Sequence, residues 1–145
     1  MEKMHFEMES YSSNEQFARV VVAVFLARLD PTVEELDDVK TAVSEAVTNC
    51  IIHGYEGRQG TIRVEVTVEE QMATIHVIDW GVGISDVKRA MEPLYTTKPG
   101  EDRSGMGFAF MQAFMDEVSV QSVLGEGTVV TMKKTIKKER GKMQV

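Results

Sequence analysis

Apolar and polar residues alternate most clearly between positions 62 and 69. Ile62, Val64, Val66 and Val68 interleave with Arg63, Glu65, Thr67 and Glu69. A period of two predicts a strand with one buried face and one wet face. After a short turn, Ala73, Ile75 and Val77 continue the buried phase in a second strand, and Asp79 falls in that same phase. A carboxylate aimed at the core needs a partner, or its burial is costly. This is the first physical hint of a ligand. Residues 4–9 alternate more weakly, with Met4, Phe6 and Met8 in phase, and predict a short strand.

Helical spacing governs the segments between. Ser12-Ser13-Asn14-Glu15 reads as a capping box that opens a helix, with Phe17, Val20, Val21, Val24, Phe25 and Leu29 at helical intervals. The valine run favours a strand, but periodicity outweighs propensity. Asp30-Pro31 ends the helix. Thr32-Val33-Glu34-Glu35 is a second capping box. It opens a helix whose core stripe is Leu36, Val39, Val43, Val47, Cys50 and Ile51, with Gly54 and Gly57 as terminators. Residues 92–106 read as a loop of the length often used for a lid or binding loop. Gly107–Met115 reads as an apolar helix. Val118, Val120 and Ser122, the turn Gly125-Glu126-Gly127 and the run Thr128–Met132 read as a closing hairpin. Helices come early and strands mostly late, so the class is α+β, a sheet covered by helices on one face.

Composition narrows the setting. The 145 residues, 43% of them apolar, suit one domain with a sizeable core. The longest apolar run, Val20 to Ala27, spans 8 residues, far too few for a membrane span. Met1-Glu2-Lys3-Met4-His5 lacks the order of a signal peptide. The lone cysteine, Cys50, reads as a small core residue in a reducing cytoplasm. The last thirteen residues carry about +5, which leaves about −12 on the other 132 of a chain whose net charge is −7. An acidic body argues against nucleic acid as the main partner. The division expected is one domain over 1–135 and a basic, flexible, solvated tail over 136–145.

The candidate chemistry lies in three separated segments. Glu45 and Asn49 stand four apart on one helix face, with His53 extending the stripe. Asn49 can ligate Mg²⁺ by its side-chain oxygen and Glu45 can act as a base. Taken alone, the pair fits a polar helix face in water better. His53 reads as a hydrogen-bonding residue near the helix end. Asp79-Trp80-Gly81-Val82-Gly83 and Gly105-Met106-Gly107-Phe108 are two Gly-x-Gly elements, the first led by an acid. Each suits an ordinary turn, but amides at a helix N-terminus also favour phosphate. Lys98 and Arg103, in the loop between, can supply phosphate-facing charge. Thr128 starts the last strand, where its hydroxyl can reach toward Asp79; spacing alone makes it an ordinary strand residue. Other nucleotide motifs fail. Met106 stands where a Walker lysine belongs, Gly81-Val-Gly83 lacks the third glycine of a dinucleotide fingerprint, and no Cys/His cluster suggests zinc.

Together these residues resemble a family. Glu45-Ala-Val-Thr-Asn49 resembles the N box of the Bergerat ATP-binding fold, shared by DNA gyrase, Hsp90 chaperones, sensor histidine kinases and MutL proteins. Asp79–Gly83 and Gly105–Phe108 resemble its two glycine boxes, and Gly125-Glu126-Gly127-Thr128 its final turn. Within that fold, Glu45–Tyr55, Pro93–Pro99 and Phe17-Ala18-Arg19-Val20 are similar to the small anti-sigma serine kinases of sporulating bacteria. The resemblance implies a two-layer sandwich with a mixed, mostly antiparallel sheet. It implies a homodimer that sequesters a sporulation sigma factor of the sigma F type and uses ATP with Mg²⁺ to phosphorylate a serine of an anti-anti-sigma protein. It also implies the residue roles. Asp79 would accept from the adenine amine, with Gly81 and Gly83 letting the backbone approach and Thr128 helping through a water. Asn49 would hold Mg²⁺. Amides around Gly105, Met106 and Gly107, with Thr97, Lys98 and Arg103, would cradle the triphosphate, and Glu45 would serve as the base. Arg19, on the exposed side of the first helix, is a candidate partner contact. No direct nucleic-acid or membrane partner is expected. Two alternatives stay open: a histidine-kinase-type catalytic domain, and an ATP-gated binding module without phosphotransfer.

Overall fold

The computed structural model describes residues 1–92 and 107–137. Strands β1 (Glu2–Glu9), β2 (Thr61–Glu69), β3 (Met72–Asp79), β4 (Glu117–Val123) and β5 (Gly127–Thr135) form one sheet in the order β1-β2-β3-β5-β4. Every pairing among these strands is antiparallel, so the parallel pair of a mixed sheet is not found among the described residues. Helices α1 (Ser13–Leu26), α2 (Val33–Asn49) and α4 (Gly107–Phe114) pack on one face, and a short α3 (Val87–Ala90) follows β3. Among the described residues no helix is long and apolar enough to cross a membrane.

The period-two reading of β2 and β3 sets the core. Ile62, Val64, Val66, Ala73, Ile75 and Val77 are fully buried beneath Val39, Val43 and Val47 of α2 and Val22 and Leu26 of α1. Each buried valine, leucine or isoleucine side chain contributes about 1.5–3 kcal/mol relative to an exposed one. The wet face is polar. There Arg63 bridges Glu65 at 2.7 Å and Glu7 at 3.3 Å. The Arg63 hydrogen bond holds the Glu65 carboxyl below its usual range. Such exposed pairs add little stability.

The two expected capping boxes part ways. Thr32 forms the full box: its hydroxyl accepts from the Glu35 amide at 3.0 Å, and its own amide donates to the Glu35 carboxylate at 2.9 Å. Ser12 does not. Its backbone is already helical and its side chain makes no cap bond. Glu15 is drawn away instead, accepting from the Ser44 hydroxyl at 2.7 Å and pairing with Arg19 at 3.8 Å.

Helix α1 also buries a different face from the one its large residues suggest. Ala18, Val22 and Leu26 point inward, while Phe17, Val20 and Val24 are exposed. Apolar residues run nearly all round this helix, so periodicity marks the helix without selecting its face. Small Ala18 is fully buried on the packed side. At the other end of the chain the packed body runs through Lys137, two residues past the expected boundary. Ile136 is buried in the core, and the Lys137 amide donates to Glu35 at 3.0 Å.

Candidate functional site

Helix α2 does not stop at a glycine in the ordinary way. It widens into a π turn, Cys50–Gly54, in which the Tyr55 amide donates to the Cys50 carbonyl at 2.8 Å. Such turns are uncommon and occur often at functional sites. This one presents Cys50 and Gly54 to the end of β3, where Asp79 lies.

Asp79 points inward, as its strand phase predicts, and is only 5% exposed. It sits in register with Ile62 on β2 and Thr128 on β5. Its Oδ1 accepts from the Gly81 amide at 2.9 Å, and the nearby Cys50 thiol and Thr128 amide also favour its ionised form. A carboxylate has about four acceptor positions, and the Gly81 amide takes one of them. Burial raises the Asp79 carboxyl above the usual range, and the donors offset part of that shift. Burial also pushes the Cys50 thiol well up, with the Asp79 charge adding to it, so Cys50 stays a protonated donor. Cys50 is thus both a core residue, as expected, and a partner of Asp79.

Backbone forms the floor beside this carboxylate. A β-carbon on Gly54 would fall 2.8 Å from Asp79 Oδ2, and one on Gly81 would fall 2.0 Å from the Gly54 carbonyl oxygen. Neither position has room for a side chain, which is the physical reason for glycine at both. The Val82 amide donates to that same Gly54 carbonyl at 2.9 Å, tying the first glycine box to the π turn. Gly83 has a positive φ of 78° and lies against the turn after β4.

Asn49 and Glu45 lie on α2, half-buried. The Asn49 amide abuts the start of α4: a β-carbon on Gly107 would lie 3.2 Å from its Oδ1. The structure therefore brings Asn49, Asp79, Gly81, Gly83, Gly107 and Thr128 to one end of the molecule. A Mg²⁺ ion carried by phosphates asks for only one or two protein oxygens. The Asn49 oxygen beside a helix N-terminus fits that demand. Thr97, Lys98, Arg103, Gly105 and Met106 lie outside the described residues. Arg19 is half-exposed at the edge of α1, where the Glu15–Ser44 contact joins α1 to α2, rather than on the open face of the helix. The Thr128 hydroxyl is 2.8 Å from Ser122 Oγ, and Thr128 lies opposite Asp79 in the β3–β5 register.

Sequence reasoning misses several of these residues. Gly54 reads as a terminator and Ser122 as a strand residue. Tyr55 is given no role, yet its hydroxyl accepts from the Trp80 amide at 2.9 Å and donates to the Thr61 carbonyl. It pins the glycine box to the start of β2. Burial raises its phenol above the usual range. Tyr55→Phe should lower stability by about 1–2 kcal/mol, the cost of leaving these backbone groups unpaired. It should also weaken nucleotide binding a few-fold. Denaturant unfolding with and without ATP measures both, and an unchanged midpoint would mean that water replaces the phenol at no cost.

Residues 11–134 match the model of the histidine kinase-like ATPase domain. The anti-sigma F factor of Clostridium beijerinckii is 57% identical over 133 residues, covering 91% of this chain and 93% of that protein. The anti-sigma F factor of Caldanaerobacter subterraneus is 56% identical over 137 residues, covering 94% and 96%. Among solved structures, the RsbU and RsbW domains of a Mycobacterium tuberculosis protein share the fold, with a TM-score of 0.66 at 20% identity over 94% of this chain and 32% of that longer one. The chain belongs to the histidine kinase-like ATPase domain family and, within it, to the anti-sigma F factors.

Proposed function

We propose that this chain sequesters a sporulation sigma factor of the sigma F type and uses Mg²⁺-ATP to phosphorylate a serine of an anti-anti-sigma antagonist. The observation that carries the ATP reading is Asp79: a buried carboxylate at the inner end of β3, beside a floor made of glycine backbone. That arrangement suits the amino group of adenine. Gly81 and Gly83 let the base approach, and Thr128 adds a second oxygen beside Asp79. Asn49 would hold the metal, whose charge would offset that of the phosphates. The amides at the start of α4, where Gly107 lies, favour phosphate. Thr97, Lys98, Arg103, Gly105 and Met106 are proposed for the same triphosphate. Glu45, one turn before Asn49, is the proposed base. Arg19 is a proposed partner contact.

Incubation with labelled ATP and candidate partners tests this reading. Label on a partner serine supports it. Label on a histidine would favour the histidine-kinase alternative, and no label with ATP still bound would favour a binding-only module.

The homodimer belongs to the same proposal. Among the described residues β1 is an edge strand, hydrogen-bonded on one side only. Beside it, Phe6 packs edge-on against exposed Phe17, with Val20 and Val24 exposed further along α1. An open edge next to an apolar stripe is a hazard for a monomer and an asset for a dimer. Val24→Glu should shift the chain toward monomer in sedimentation while leaving its melting two-state. A dimer of unchanged strength would move the interface elsewhere.

A further inference from the structure

We propose that Ser122 sets the base preference of this site by committing the Thr128 hydroxyl as an acceptor; the inference rests on the nucleotide reading above. Ser122, Thr128 and Asp79 lie in one row across β4, β5 and β3. Ser122 Oγ is 3.0 Å from the Gly127 carbonyl oxygen, 2.7 Å from the Ile84 amide nitrogen and 2.8 Å from Thr128 Oγ1. A hydroxyl has one proton and two lone pairs. The Gly127 carbonyl only accepts, so the Ser122 proton goes there. The Ile84 amide only donates, so it fills one lone pair. The other lone pair is left for Thr128, which gives its proton to Ser122. Thr128 is buried opposite Asp79 on the same face of the sheet. With its proton committed, its oxygen offers only lone pairs. Ionised Asp79 likewise only accepts. Two acceptors side by side select a base bearing an amino group and disfavour one bearing an oxygen at that position. Ser122 is thus a positioning residue that makes the pocket favour a 6-amino purine over a 6-oxo purine.

Calorimetry on the full chain, with ATP and inosine triphosphate in the presence of Mg²⁺, tests this. The wild type should prefer ATP. Ser122→Ala releases the Thr128 proton, which can then turn to a 6-oxygen. The preference should fall about three- to ten-fold, the worth of one neutral hydrogen bond. Ser122→Thr keeps the hydroxyl and should retain the preference. Equal weakening of both nucleotides in Ser122→Ala, with the ratio unchanged, would overturn the proposal by making Ser122 a plain support for the loop. So would an equal fall in Ser122→Thr. If Ser122→Ala gives no cooperative melt, Thr128→Val reads the same ratio, and no change there overturns the proposal too. A wild type that binds neither nucleotide would refute the nucleotide reading itself, and it does so before any variant is made.

Discussion

Replacing Glu45 by glutamine should lower single-turnover phosphotransfer to the partner serine by about 10²–10⁴, while ATP affinity changes little. In the proposed step the serine oxygen attacks the γ-phosphorus, the bond to the β–γ bridging oxygen breaks, and ADP leaves. The serine proton passes to the Glu45 carboxylate. An amide cannot take that proton. The adenine and phosphate contacts proposed above come from other residues, so binding should survive. The backbone should survive as well. Glu45 sits between buried Ser44 and Ala46, and the Ser44 hydroxyl donates to Glu15 at 2.7 Å, tying this turn of α2 to α1. Glutamine has the same shape as glutamate and leaves that packing alone. Rapid-quench transfer at saturating ATP, with a sigma-factor pull-down alongside, reads both halves. Near-normal transfer would remove Glu45 from the chemistry and leave positioning and charge stabilisation as the whole of catalysis. Loss of sequestration along with transfer would make Glu45 structural.

Some of this site is legible in the sequence because a strand repeats every two residues. Once Ile62–Val68 and Ala73–Val77 are in phase, the inward direction of Asp79 follows, and it is buried as expected. The Glu45–Asn49 spacing is legible for the same kind of reason, with a period of 3.6. The rest depends on contacts that no local pattern encodes. Tyr55 meets Trp80 across 25 positions and Ser122 meets Ile84 across 38. The π turn is hidden too, because Cys50–Gly54 reads as an ordinary helix end until its hydrogen bonds are known. The outer face of α1 is ambiguous for a different reason: a helix that is apolar nearly all round has more than one face it can bury. The choice falls to the one containing Ala18. The Ser12 box fails because Glu15 has a better partner on α2 than the helix start it follows.

Asp79→Asn should weaken ATP and ADP together, by about ten- to a hundred-fold, because both carry the same base. The carboxylate already accepts from the Gly81 amide, with the Thr128 amide and the Cys50 thiol beside it favouring its charge. An asparagine turns one NH₂ toward either those donors or the incoming amine, and a buried mismatch of that kind costs about 1–3 kcal/mol. Acidity separates the binding role from the structural one. Burial raises the Asp79 carboxyl above its usual range, so its acceptor character is lost at a higher pH than for an ordinary aspartate. Wild-type ATP affinity should therefore fall as pH drops through that raised value. The stability term has the opposite sign. A carboxyl whose pKa is raised by folding favours the folded state most at pH below its unfolded value, and that contribution is lost as pH rises through the folded value. In the same acid window, then, nucleotide binding weakens while the contribution of Asp79 to folding improves. Asp79→Asn removes both dependences, flattening the affinity profile and the corresponding part of the stability profile. Calorimetric titrations and unfolding midpoints across that window measure the two. If only ATP weakens in the variant, and ADP does not, Asp79 acts at the phosphates and the adenine assignment is wrong.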